Sequence, residues 1–193
     1  MQYAKIPGLE QEVSRICLGT MTFGSPVAEA DAVKLIAYAK EEHGINFIDT
    51  ANMYEGYNRF AGSAGGVAEE IVGRAVHGRR AEFVLATKVG PKAIAAQLRR
   101  SLQRMGTDYV DIYYLHCYDA STPPQEIVRA IAKELKAGTI RAWGVSNYTA
   151  PQLQALLDAA NEENVPAPAL CQPQLNLLNQ EALRALLPLC AKA

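Results

Sequence analysis

The chain of 193 residues has almost no net charge, with 19 Lys+Arg against 20 Asp+Glu. Without a basic excess it lacks the electrostatic footprint of a general nucleic-acid binder or a polybasic membrane-surface protein. No stretch approaches the ~18 uncharged apolar residues of a transmembrane helix. Neither nucleic acid nor membrane is therefore expected as a partner. The opening segment MQYAKIPGLE has no apolar core of the kind a secretory leader needs, which makes the cytoplasm the expected location. Cysteine is scarce as well. Cys17, Cys117, Cys171 and Cys190 form no CxxC pair and have no histidine at zinc-ligand spacing. Reduced thiols are expected, with neither a disulfide framework nor a metal site. Linkers, low-complexity runs and charge blocks are also missing, so residues 1–193 read as one domain.

What the chain does contain is alternation. Short apolar, β-branched runs occur at Arg15–Leu18, Asn46–Asp49, Phe83–Thr87, Val110–Leu115, Ile140–Val145 and roughly Ala167–Gln172. Each is followed by a segment with apolar residues three and four apart, over about 28–43, 66–78, 91–105, 123–138, 149–163 and 180–192. Thr122-Pro123-Pro124 reads as an N-cap with proline in the first turn, and Lys136 with Gly138 as the matching C-terminal stop. Ile94, Leu98, Leu102 and Met105 share one helical face, as do Leu153, Leu156 and Leu157; both stripes read as core.

Six strand–helix units in series imply a parallel sheet with right-handed crossovers. Two architectures satisfy that pattern, a doubly wound open sheet and a TIM (β/α)8-type barrel. A dinucleotide-binding open sheet would carry GxGxxG after its first strand, whereas this chain has GTMTFG. The α/β barrel is favoured.

In such a barrel the working residues stand at the C-terminal ends of the strands. Read in order, those ends present Asp49 and, one short loop later, Tyr54; then Lys88; then His116; then Ser146 and Asn147; then Gln172. A lysine ending an apolar strand is costly to bury unless paired, and Asp49 on the neighbouring strand can pair with it. An ammonium beside a tyrosine favours the phenolate, so the tyrosine can give its proton to a carbonyl oxygen on which negative charge develops. His116 can orient the carbonyl or share the proton. No side chain supplies a hydride, which implies a nicotinamide cofactor. Ser146, Asn147 and Gln172 are suited to hydrogen-bond its carboxamide.

These segments resemble the aldo-keto reductase superfamily, more closely the branch with potassium-channel β-subunit-like and ketoreductase-type members. The resemblance is carried by LGTMTFG, GINFIDTANMYEGYNRFAGSAGGVAEEIVG, LATKVG, SLQRMGTDYVDIYYLH, GTIRAWGVSN and QPQLNLLNQ, nearly from end to end. It implies reduction of a small aldehyde or ketone by NADPH, with Asp49, Tyr54, Lys88 and His116 as the catalytic tetrad and Tyr54 as proton donor. It further implies that Ser146, Asn147 and Gln172 hold the nicotinamide amide, that Asp49 borders the cofactor, and that Thr20 and Met21 lie in a cofactor-contacting loop. Family members generally continue for about a hundred residues more, so six of eight units are expected here. The aromatic that stacks on the nicotinamide and the 2′-phosphate grip belong to the other two. Open barrel edges at the first and sixth strands would favour self-association. A non-catalytic or regulatory fragment is the alternative reading.

Other residues receive plainer readings. His43 and His77 lie at helix ends and read as cap residues. Gly62–Gly66 lacks the GK[ST] of a phosphate loop and reads as a substrate-side loop, with Tyr57, Arg59 and Phe60 lining the mouth. Cys117 reads as a neutral space-filler, and Trp143 as packing.

Overall fold

A strand that is apolar on both faces must be covered on both, and from Cys17 onward each such strand is followed by the helix that covers it. The computed structural model describes residues 1–58 and 64–193; Arg59, Phe60 and the first part of the Gly62–Gly66 loop lie outside the described residues. The chain begins with a two-stranded antiparallel hairpin, β1 (Tyr3–Ala4) and β2 (Val13–Ser14). Six parallel strands follow: β3 (Cys17–Gly19), β4 (Phe47–Asp49), β5 (Val84–Val89), β6 (Val110–Leu115), β7 (Ile140–Ser146) and β8 (Leu170–Gln172). They pair in chain order, β3-β4-β5-β6-β7-β8. The helices are α1 (Glu29–His43), α2 (Val67–Val76), α3 (Ile94–Met105), α4 (Pro124–Ala137), α5 (Ala150–Glu162) and α6 (Leu186–Cys190). The sheet curls so far that Gln172 on β8 reaches Asp49 on β4. This is a partial (β/α)8 barrel.

Alternation along the strands separates two cores. Val84, Ala86, Ile112, Tyr114 and Ala142 point into the barrel. Leu85, Val89, Tyr113, Leu115 and Trp143 point outward to the helices. The same period of two places Lys88 on the inner face. Tyr114 pairs with Gly144, where a Cβ would lie 2.8 Å from the tyrosine ring, so the glycine makes room for that ring inside the barrel. The inner core is closed at its N-terminal end by the hairpin, which contributes Val13 and, from its loop, Ile6 and Leu9. Asn46 ties the hairpin down, accepting from the Ser14 amide at 2.8 Å and donating to the Glu12 carbonyl at 2.8 Å.

Most expected elements are present, with three corrections. The hairpin is additional to them. The expected N-cap residue Thr122 does not cap α4; its hydroxyl donates to Asp119 at 2.6 Å, and Pro123 takes the cap position. Together with Ser121, that hydroxyl holds the Asp119 carboxyl down at about 2. The helix expected over 180–192 is broken into a 3-10 turn at Glu181–Leu183 and the short α6. Pro188 explains the break, because its ring clashes with the carbonyl four residues back and it has no amide to donate.

At Gly73 helix α2 lies directly against the backbone at the end of α3. A Cβ there would lie 2.5 Å from the Met105 carbonyl oxygen and 2.6 Å from its Cα. The obstacle is backbone, so α3 itself would have to move. Gly73→Ala is expected to cost about 2–3 kcal/mol, the upper part of the overpacking range. That outweighs the ~1 kcal/mol alanine gains over glycine inside a helix. A fall in the urea midpoint with unchanged slope is the corresponding measurement.

Candidate active site

Every strand end named from the sequence lies at the C-terminal rim of the barrel. Lys88 is the most constrained residue there. Its side chain is 1% exposed, and its ammonium bonds the Asp49 carboxylate and donates to the Thr50 carbonyl at 3.0 Å. Burying this charge is tolerable because both partners are in place on the adjacent strand. The same Nζ lies 4.9 Å from the centroid of the Tyr54 ring. His116 presents its ring edge-on to Tyr54, with centroids 6.0 Å apart and planes at 83°. Asp49, Tyr54, Lys88 and His116 are thus in one continuous cluster.

Backbone bonds fix the loops that carry these groups. The Asn52 amide donates to the Lys88 carbonyl at 3.0 Å, and the His116 amide to the Val89 carbonyl at 2.9 Å. Thr20 is fully buried, and both its amide and its hydroxyl donate to the Asp49 carbonyl at 3.0 Å. It therefore acts on the position of β4 from inside the wall. Met21, the next residue, is 57% exposed and lines a hollow of about 320 Å³ together with Met53, Tyr54, Tyr57 and His116. A second hollow, of about 560 Å³, is lined by residues that include Asn52, Gly65, His116, Cys117 and Asn147.

Ser146, Asn147 and Gln172 complete the rim on the other side. Asn147 adopts a left-handed backbone, φ 58°, a conformation asparagine tolerates better than most residues. Its amide nitrogen donates to the His116 carbonyl at 3.0 Å and to Ser146 Oγ at 3.1 Å. Ser146 Oγ in turn donates to the Gln172 carbonyl at 3.1 Å. Gln172 Nε2 donates to Asp49 Oδ1 at 3.3 Å, which joins the two halves of the rim. Tyr114 lies within the same interior, and burial, followed by the charge of Asp49, pushes its phenol well above the ordinary range. It remains neutral. Cys117 is exposed beside His116, and Trp143 is buried with its indole nitrogen bonded to the Pro166 carbonyl.

Against this geometry, a family model described as the Aldo/keto reductase family matches residues 15–193. The chain belongs to the aldo-keto reductase family. Among curated relatives, it is 34% identical to a probable voltage-gated potassium channel subunit beta of Arabidopsis thaliana, covering 92% of this chain and 56% of that protein. It is 36% identical to Protein tas of Escherichia coli (strain K12), covering 93% of this chain and 62% of that protein. Among solved structures, an aldo/keto reductase from Klebsiella pneumoniae in complex with NADP and acetate is 35% identical with a TM-score of 0.79, covering 94% of this chain and 61% of that one. The glycerol dehydrogenase AKR11B4 from Gluconobacter oxydans is 31% identical with a TM-score of 0.80, covering 98% and 60%. This aldo-keto reductase chain thus spans less than two thirds of the length of these relatives.

One buried group near the site went unnoticed in the sequence. Glu69, in the first turn of α2, has no exposed surface and is bonded to Thr87 and Arg104. The signal was available: Glu69, Val72 and Val76 fall three and four apart, so a carboxylate occupies an apolar stripe.

The pairing of Asp49 with Lys88 carries a measurable consequence. Asp49→Ala leaves a buried ammonium without its counter-charge and is expected to destabilise the fold by about 3–5 kcal/mol. Replacing both, Asp49→Leu with Lys88→Met, should return most of that loss in a urea titration at neutral pH.

Proposed function

We propose that this chain is an NADPH-dependent carbonyl reductase, reducing a small aldehyde or ketone to an alcohol with Tyr54 as the proton donor. The observation that supports this most directly is the Lys88 ammonium, buried against Asp49 and set 4.9 Å from the Tyr54 ring. A cation held there stabilises the phenolate that remains after the proton has gone. As negative charge grows on the substrate oxygen, the Tyr54 hydroxyl donates its proton to it. His116, edge-on to Tyr54, orients the carbonyl by a hydrogen bond. Asp49 holds the Lys88 side chain in place.

The residues fit a nicotinamide. A carboxamide needs a donor and an acceptor, and Asn147 and Gln172 each carry both, with the Ser146 hydroxyl beside them. When bound, this group supplies the hydride that no side chain can. Ser146, Asn147 and Gln172 would hold its amide, Asp49 would border it, and Met21, with Thr20 behind it, would flank it from the first strand. The reading is further supported by the NADP complex of the similar Klebsiella pneumoniae protein. The cytoplasm is the location that goes with it; among the described residues no helix is long and apolar enough to cross a membrane. Among the described residues no feature of the rim favours the non-catalytic alternative.

We further propose that residues 1–193 act as one barrel domain and self-associate through its open side. Among the described residues β3 and β8 each have one strand partner, and Leu177 and Leu178 next to β8 are 91% and 100% exposed. Light scattering should then give a mass above that of one chain, and a monomer at micromolar concentration would refute the association.

The catalytic proposal is tested by titrating the protein with NADPH, following cofactor fluorescence, and then adding an aldehyde and following NADPH absorbance. Turnover is expected, and Tyr54→Phe should lower kcat by about 10²–10⁴-fold while leaving the fluorescence titration unchanged. Turnover that survives in Tyr54→Phe would exclude Tyr54 as the donor.

A further inference from the structure

Glu69 takes no part in the chemistry proposed above, yet it is fully buried and fully bonded. Its Oε1 accepts from the Thr87 hydroxyl at 2.5 Å. Its Oε2 accepts from Arg104 Nε at 2.6 Å and lies 2.6 Å from Arg104 Nη2. Arg104 comes from α3 and folds over Gly66, where a Cβ would lie 2.4 Å from its Cδ. Both neighbours of this cluster lead to the rim. Thr87 immediately precedes Lys88 and faces the opposite side of β5. Ala68 immediately precedes Glu69, and its amide donates to the carbonyl of Tyr54 at 3.0 Å. Two successive residues in one turn of α2 therefore hold the two segments that carry Tyr54 and Lys88.

We propose that Glu69 is a positioning residue that sets the separation of Tyr54 and Lys88 from the outer face of the barrel. Apolar contacts, here those of Ile71, Val72 and Val76, are non-directional and leave a helix some freedom to slide along the sheet. Charge-assisted hydrogen bonds are directional and remove that freedom. The register of α2 against β5 is thus fixed at the Glu69–Thr87 bond, and the Ala68 amide passes it to Tyr54. Rates of positioned reactions fall about 10²-fold for a misplacement of ~1 Å, so a bond one layer away from the chemistry controls it. The proposal rests on the proton-transfer role of Tyr54 given above.

The test compares Thr87→Val, Thr87→Ser and Glu69→Gln with the parent chain in two arms. In the free protein, hydrogen exchange of the Ala68 amide and acylation of Lys88 by a water-soluble anhydride are measured, with the amides of Ile112–Tyr114 as an internal reference. Thr87→Val and Glu69→Gln should raise both signals about ten-fold or more while the reference is unchanged, and Thr87→Ser should match the parent. In the second arm, kcat for aldehyde reduction should fall about ten-fold or more in Thr87→Val, with KM and NADPH affinity unchanged, and recover in Thr87→Ser. If Glu69→Gln fails to fold, the two Thr87 variants decide. A rise in exchange spread evenly over the sheet, or an unchanged kcat in Thr87→Val, would overturn the positioning role. If the parent shows no turnover but the free-protein arm behaves as expected, the proposed activity fails and the placement of Tyr54 and Lys88 by Glu69 stands.

Discussion

An ammonium group removed from water has to be compensated where it stands, and the arrangement of the barrel rim follows from how Lys88 meets that requirement. Its stem is part of the inner core, so the head can only be matched by groups at the same height on the adjacent strand. Asp49 at the end of β4 and Thr50 just after it provide a carboxylate and a carbonyl. In the parallel register Asp49 pairs with Ala86, two residues before Lys88. The small inward side chain of that alanine leaves the space above it to the ion pair.

Curvature of the sheet extends this local pairing to the whole rim. Asp49 uses one oxygen for Lys88 and the other for Gln172, which lies four strands away in the sheet order. The carboxylate therefore spans a hollow and does not merely bridge two neighbours. Behind it, the carbonyl of the same residue accepts two bonds from Thr20. On the outer face a second carboxylate, Glu69, is likewise shared between two elements, accepting from the Thr87 hydroxyl and from Arg104. One charged group on each side of the wall holds it at the height where Tyr54 sits.

The strand ends were legible because a polar residue closing an apolar, period-two run has few purely structural explanations. Lys88 after FVLAT and His116 after VDIYYL are of this kind. The barrel was legible from alternation, combined with the missing glycine fingerprint after the first strand. Other features depend on partners far along the chain. Two-residue strands such as β1 and β2 have no periodicity to read. Tyr109, stacked between Arg80 and Arg141 with guanidinium carbons 4.2 and 4.1 Å from its ring centroid, and Asp111, bonded to the same two arginines, depend on residues some thirty positions apart. The end of the chain misled for a local reason. The apolar spacing of Leu183, Leu186, Leu187 and Leu189 favours a continuous helix, and a single proline, Pro188, prevents it.

The hairpin at the N-terminal end of the barrel has a consequence for the order of assembly. Gly8, in its loop, sits against the Arg141 carbonyl, where an added Cβ would lie 2.7 Å away. Ile6, Leu9 and Val13 join a core whose other members extend to Leu170. These residues, which precede β7 by more than a hundred positions, thus have no seat until β7 has been made. Until then their apolar side chains are exposed on a nascent chain, and closing the base of the barrel is a late, long-range event. Once seated, the hairpin closes the end of the inner core opposite Tyr54 and its neighbours.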